Sequence, residues 1–160
     1  MIKLSNKEEK SFTRYLFQQD YLGEGTGRKV YRWRDYVIKV AKNRQGRKQN
    51  QNERLLYQQY GSTNTYLAKV YAYSKNIIIM EMVEPKEPQD IDVDQAEKIG
   101  NWLDIVCQTI SQDHYDSFEI TKDGRLVVYD YGDYEKMYNK KLHFDMSTRE
   151  YVATKIGELL

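Results

Sequence analysis

The chain has 160 residues, with 25 Lys and Arg against 24 Asp and Glu for a formal net charge of +1. That length suits one domain or two small lobes around one cleft. The near-neutral balance excludes a globally basic nucleic-acid binder, and apolar runs such as residues 77–80 are far too short to span a membrane. The single cysteine, Cys107, excludes an intrachain disulfide and makes a reducing, cytoplasmic setting the default.

The charge is unevenly placed. Residues 1–60 carry 14 Lys and Arg against 6 Asp and Glu, and residues 61–160 carry 11 against 18. Two solvated surfaces explain this, and so does a basic lobe over a polyphosphate. The N-terminal Met1-Ile2-Lys3-Leu4-Ser5-Asn6 has no apolar signal-peptide region.

Residues 5–19 read as a helix with Phe12, Tyr15 and Leu16 on one face, leading into a strand at 20–23. Gly23, Gly25 and Gly27 follow, and glycines let a backbone approach a ligand where a Cβ would keep it away. Strands at 29–33 and 36–41, joined at Arg34-Asp35, are rich in β-branched and aromatic residues. Lys39 sits between Ile38 and Val40, where a charge facing inward wants a carboxylate partner. Residues 42–51 read as a basic, amide-rich loop around Gly46; its Lys42, Arg44, Arg47 and Lys48 either meet a partner's phosphate or acidic surface or form a solvated connection.

A helix is expected at 52–60, carrying Glu53, with Leu56 and Tyr60 on one face and Gly61 as a stop. Near-continuous apolar strands at 67–73 and 76–82 should be buried on both sides. The two prolines of residues 84–89 mark a boundary, giving units at 1–84 and 91–160 around a linker at 85–90. From Asp92 or Asp94 a helix should run to about Ser111, because Val93, Ala96, Ile99, Leu103, Val106, Cys107 and Ile110 recur at spacings of three and four. A hairpin of 118–121 and 125–130 turns at Lys122-Asp123-Gly124. Amphipathic helices are expected at 133–141 and 147–159.

The order of these features resembles the nucleotide-binding half of a protein kinase. The glycine-rich turn Leu22-Gly23-Glu24-Gly25-Thr26-Gly27-Arg28-Lys29-Val30-Tyr31 is followed by the lysine strand Val37-Ile38-Lys39-Val40-Ala41 and the helix of Glu53. The hydrophobic strand ending Met80-Glu81-Met82 and the segment Tyr129-Asp130-Tyr131-Gly132, with Tyr131 where Phe is usual, come after them. The resemblance implies an α+β, two-lobed fold: an antiparallel sheet with one helix, then a reduced, mainly helical C-terminal lobe. It implies ATP and Mg2+ as cofactors. Gly23, Gly25, Gly27 and Val30 would lie along the nucleotide, Lys39 would meet its phosphates with Glu53 as partner, and Asp130 would hold the metal. Met80 would be the gatekeeper, with the backbone of Glu81, Met82 and Val83 beside adenine.

The pattern is departed from in four places. The family's metal-binding Asn falls on Ser117, and its catalytic Asp on Gln112, with Asp113 beside it; Asp113 or Asp116 would have to serve as base. His114 either assists or is a surface residue. The third glycine comes one residue early, so Arg28 stands in its place and either reaches a phosphate or blocks the pocket. No Ala-Pro-Glu sequence follows Gly132.

Two functions stay open. One is an atypical phosphotransferase to a protein hydroxyl. The other is a pseudokinase of phage or prophage kind that holds a protein partner. Nucleotide and a protein partner or substrate are expected; nucleic acid rests only on the basic first 60 residues, with no motif of a known reader.

Overall fold

The computed structural model describes residues 1–16, 18–84, 91–109 and 118–136. Its main element is a six-stranded sheet in the order β1-β5-β6-β4-β3-β2, made of β1 (Ile2–Lys3), β2 (Asp20–Glu24), β3 (Arg28–Trp33), β4 (Tyr36–Ala41), β5 (Val70–Tyr73) and β6 (Ile77–Glu81). All neighbours pair antiparallel except β1, which adds to β5 in parallel. Helix α1 (Asn6–Leu16) covers one face, and helix α2 (Arg44–Tyr60) lies against the other. β7 (Val83–Glu84), β9 (Phe118–Thr121) and β10 (Leu126–Val128) form a second sheet. Helix α3 (Val93–Val106) leads into β8 (Cys107–Thr109), which pairs with β11 (Tyr134–Lys136).

β6 shows why four consecutive apolar residues are buried. Ile78 and Met80 point into a core shared with α2, α3 and β10, and Ile77 and Ile79 point into a second core closed by Leu16 of α1. The side-chain period of two therefore buries both faces. In β4 the same alternation sends Ile38 into the α1 core and leaves Lys39 on the α2 side with Glu53. Trp102 of α3 packs edge-on against Tyr60 and Tyr66, which ties α3 to the C-terminal end of α2.

Three expectations are corrected. Helix α2 begins at Arg44 rather than at residue 52, because Asn43 caps it by accepting from the Gly46 N–H at 3.0 Å, and the Arg, Lys and Gln residues of this segment are good helix formers. Helix α3 ends at Val106, and Cys107 lies in a strand; pairing with β11 overrides the helical spacing there. For the same reason residues 134–136, expected as helix, are extended. The linker at 85–90 and the helix at 147–159 fall outside the described residues. Among those described, no helix is long and apolar enough to cross a membrane.

Gly46 explains how α2 docks. A Cβ there would lie 2.0 Å from the carbonyl oxygen of Gly27, so the helix can touch the glycine-rich turn only without a side chain.

Candidate functional site

A cleft of about 750 Å3 opens between the β2–β3 turn, the inner face of β3 and β4, and the segment that follows β10. Gly23, Gly25, Gly27, Val30, Lys39, Met82 and Asp130, all singled out from sequence, line it. The turn above it is tied down: Lys42 Nζ donates to Gly25 O at 3.1 Å, Asn43 Nδ2 to Thr26 O at 3.0 Å and the Lys42 N–H to Gly27 O at 2.8 Å.

Lys39 donates to Glu53 Oε1 at 2.6 Å, to Tyr129 O at 2.9 Å and to Asp130 Oδ1 at 3.2 Å. The expected Lys39–Glu53 pair is thus formed, with the two residues 3% and 0% exposed. Such a pair is stable when buried only if the remaining hydrogen-bonding capacity is met. Arg28 meets it: Nη1 donates to Glu53 Oε2 at 2.7 Å and to Asn50 Oδ1 at 3.3 Å, while Nη2 donates to Asp130 Oδ1. Two buried cations therefore face two carboxylates, and the cluster is neutral.

Asp130 reaches the cleft because β10 is clasped by the strand-like segment before β5. The Val128 N–H donates to Tyr66 O at 2.8 Å and the Ala68 N–H to Val128 O at 3.0 Å. Tyr131 then anchors the next residue, its fully buried hydroxyl donating to Ala68 O at 2.8 Å. Burial pushes the Tyr131 phenol well above its ordinary pKa, and the nearby Glu53 adds to this. Lys39 holds the Asp130 carboxyl well below the usual carboxylate range; burial opposes this and Arg28 reinforces it.

The resemblance implies a magnesium ion at Asp130, whose side chain is 46% exposed where it lines the cleft. Asp130 Oδ1 is already shared by Lys39 and Arg28, so a divalent cation would have to sit beside two buried positive charges. No group of three His, Cys, Asp or Glu side chains able to hold a metal occurs among the described residues. Ser117, the other expected ligand, and the candidate bases Asp113 and Asp116 lie outside the described residues.

Met80 is part of the core rather than the cleft lining. The Glu81 N–H donates to Lys69 O at 2.8 Å and the Met82 N–H to Asp35 O at 3.3 Å, while the Glu81 carboxylate holds Arg125 at 2.7 Å. Reading from sequence missed Gln49, whose Nε2 donates to Asp133 Oδ1 at 2.9 Å, and Asn52, whose Nδ2 donates to Gly132 O at 2.8 Å. Both fix the segment after Asp130 against α2. The signal for Gln49 is the helix cap at Asn43, which places it on the same helix as Glu53; Asn52 already opens the expected helix.

The chain is similar to a solved ternary complex of streptomycin, ATP and the aminoglycoside phosphotransferase APH(2")-IIa: 13% identity, 85% of this chain and 74% of that chain covered, TM-score 0.54. A Legionella pneumophila kinase, Lpg2603, bound to IP6, is similar at 16% identity over 90% of this chain and 57% of that chain, with a TM-score of 0.45. The sequence matches no family model and no curated protein. The first likeness shows the fold, which is α+β and protein-kinase-like, as the order of motifs implies.

Proposed function

We propose that the cleft binds ATP and that the chain is a kinase-like nucleotide-binding protein. The observation that carries this reading is the buried Lys39–Glu53 ion pair at 2.6 Å beneath a glycine-rich turn. An isolated strand lysine has no reason to be desolvated. A lysine held by a helix carboxylate presents a fixed charge to a phosphate chain. Val30 and Val37 supply apolar lining, with Met82 at the far side, for a base. The ATP in the APH(2")-IIa complex supports the same use of this fold.

In the fuller reading the terminal phosphate passes to a hydroxyl, such as that of a protein substrate, with Asp113 or Asp116 accepting the hydroxyl proton. Lys39 and Arg28 would offset the charge of the phosphates. A second reading is favoured by Arg28 itself. Its contact with Asp130 and Glu53 fills the inner end of the cleft with a guanidinium, which suits a pseudokinase that binds nucleotide and a protein partner without transfer.

The test is thermal unfolding with and without ATP. A ligand at a hundred times its dissociation constant adds about 2.7 kcal/mol. ATP should raise the melting temperature of wild type but not of Lys39→Met. Absence of any shift in folded wild-type protein would remove the proposal. If ATP binds, phosphate release or transfer to a protein acceptor separates the two readings.

A further inference from the structure

Helix α2 has a second side. Arg44, Arg47, Lys48 and Arg54, at positions i, i+3, i+4 and i+10, share the face opposite the buried Gly46, Gln49, Glu53 and Leu56. With Lys3 of β1 and Lys75 of the β5–β6 turn they line a groove of about 940 Å3 that, among the described residues, has no Asp or Glu in its wall. It shares no lining residue with the nucleotide cleft.

We infer that this groove is a binding site for a compact, soluble polyphosphate, meaning a small molecule that carries several phosphate groups. Six cations come from a helix, a strand and a turn, and each support is fixed. Lys3 is in register with Tyr73, and the Leu4 N–H donates to Tyr73 O at 2.8 Å. The turn that carries Lys75 is pinned by Ser74 Oγ, which accepts from the Asn76 and Ile77 N–H groups at 3.3 and 3.0 Å. The Arg54 guanidinium lies 4.8 Å over the Tyr73 ring. Cations on fixed supports lose little freedom when an anion arrives, and gathering Lys3, Arg44, Arg47 and Lys75 in a wall whose described residues include no carboxylate leaves a repulsion that a polyanion relieves.

The shape argues for a small ligand rather than nucleic acid. The cations surround a concavity instead of forming a stripe along a strand path. Tyr73, the one aromatic among the described residues of the wall, is covered by Arg54, so no described ring is left on which a base could stack. This site does not depend on whether the cleft takes nucleotide.

The experiment is calorimetric titration of inorganic tripolyphosphate into wild type and three variants. Arg44→Ala/Arg47→Ala/Lys75→Ala changes side chains that are not buried, and it should weaken binding by roughly tenfold or more, equivalent to about 1.4 kcal/mol. Lys7→Ala/Lys10→Ala/Lys98→Ala removes equal charge outside the groove and should bind as wild type does. Lys39→Met should also retain this binding. Equal loss in both triple variants would mean diffuse attraction, loss in Lys39→Met alone would mean binding in the cleft, and absence of binding would mean no site; each overturns the inference. So would tighter, groove-dependent binding of a single-stranded RNA, which would make the surface a nucleic-acid site.

Discussion

Arg28 Nη1 meets Glu53 Oε2 at 2.7 Å inside the cleft, with the two side chains 6% and 0% exposed. The carboxylate that pairs with Lys39 is therefore divided between two cations, one on each of two neighbouring strands. Replacing Arg28 by Met removes one partner from Glu53 and one from Asp130. Breaking a buried pair by deleting one partner costs about 3–5 kcal/mol, and the lower end applies because Lys39 remains. A urea titration should show that loss. If Arg28 also stands in for a metal, ATP should stabilise wild type as well in EDTA as in magnesium, while Arg28→Met loses the EDTA response. An unchanged urea midpoint, or ATP binding that requires magnesium in wild type, would contradict this account.

Asp130 contributes to the acid side of the stability profile. Its folded pKa is depressed, chiefly by Lys39 and further by Arg28, so the folded state holds fewer protons than the unfolded chain just below the ordinary value of about 4. The stabilisation is fully present above that value and is lost as pH falls through the folded one. Between about pH 5 and pH 2 the wild-type urea midpoint should fall more steeply than that of Asp130→Asn, which has no proton to gain. Parallel curves would show that the ion pairs to Asp130 contribute nothing in solution.

Tyr131 stands where kinases usually carry Phe, and its hydroxyl donates to Ala68 O in a site of 0% exposure. Tyr131→Phe removes the donor and leaves a buried carbonyl short of a partner, at a cost of about 1–3 kcal/mol. ATP binding should persist, since the ring faces the core and not the cleft. A variant as stable as wild type would mean that water or a shift of the segment replaces the bond.

How much of this was legible in the sequence follows from the range of each interaction. Lys39, Glu53 and Asp130, which meet in the structure, are each announced in the sequence by their own element. Arg28 was flagged by the early third glycine, yet its partners Glu53 and Asp130 lie 25 and 102 residues away, so only the fold could choose between reaching a phosphate and filling the pocket. The first half of α2 was misread because Gly46 and a run of basic and amide residues look like loop. The glycine is there for the contact with Gly27, which local pattern does not encode. β8 and β11 were misread for a related reason: spacings of three and four describe a helix well, and pairing between distant segments overrules them. The basic residues of this segment read as a contact for a partner's phosphate or acidic surface or as a solvated connection, and reading them as loop removes the periodicity that gathers them on one face of α2.

Two glycine substitutions separate docking from propensity. Gly46→Ala puts a Cβ 2.0 Å from Gly27 O and 2.8 Å from its carbonyl carbon, both backbone atoms that cannot swing aside. Either α2 moves away from the glycine-rich turn or the turn moves, and overpacking of this kind costs about 1–3 kcal/mol. Because the same helix carries Glu53, ATP binding should weaken along with stability. Gly100→Ala, in α3, meets nothing within 4 Å and should stabilise the protein by about 0.5–1 kcal/mol through helix propensity, with ATP binding unchanged. Thermal unfolding of both variants with and without ATP reads the two effects together. If Gly46→Ala were as stable as wild type, the contact between α2 and the turn would not be what fixes the roof of the cleft, and the case for a preformed nucleotide site would rest on the ion pairs alone.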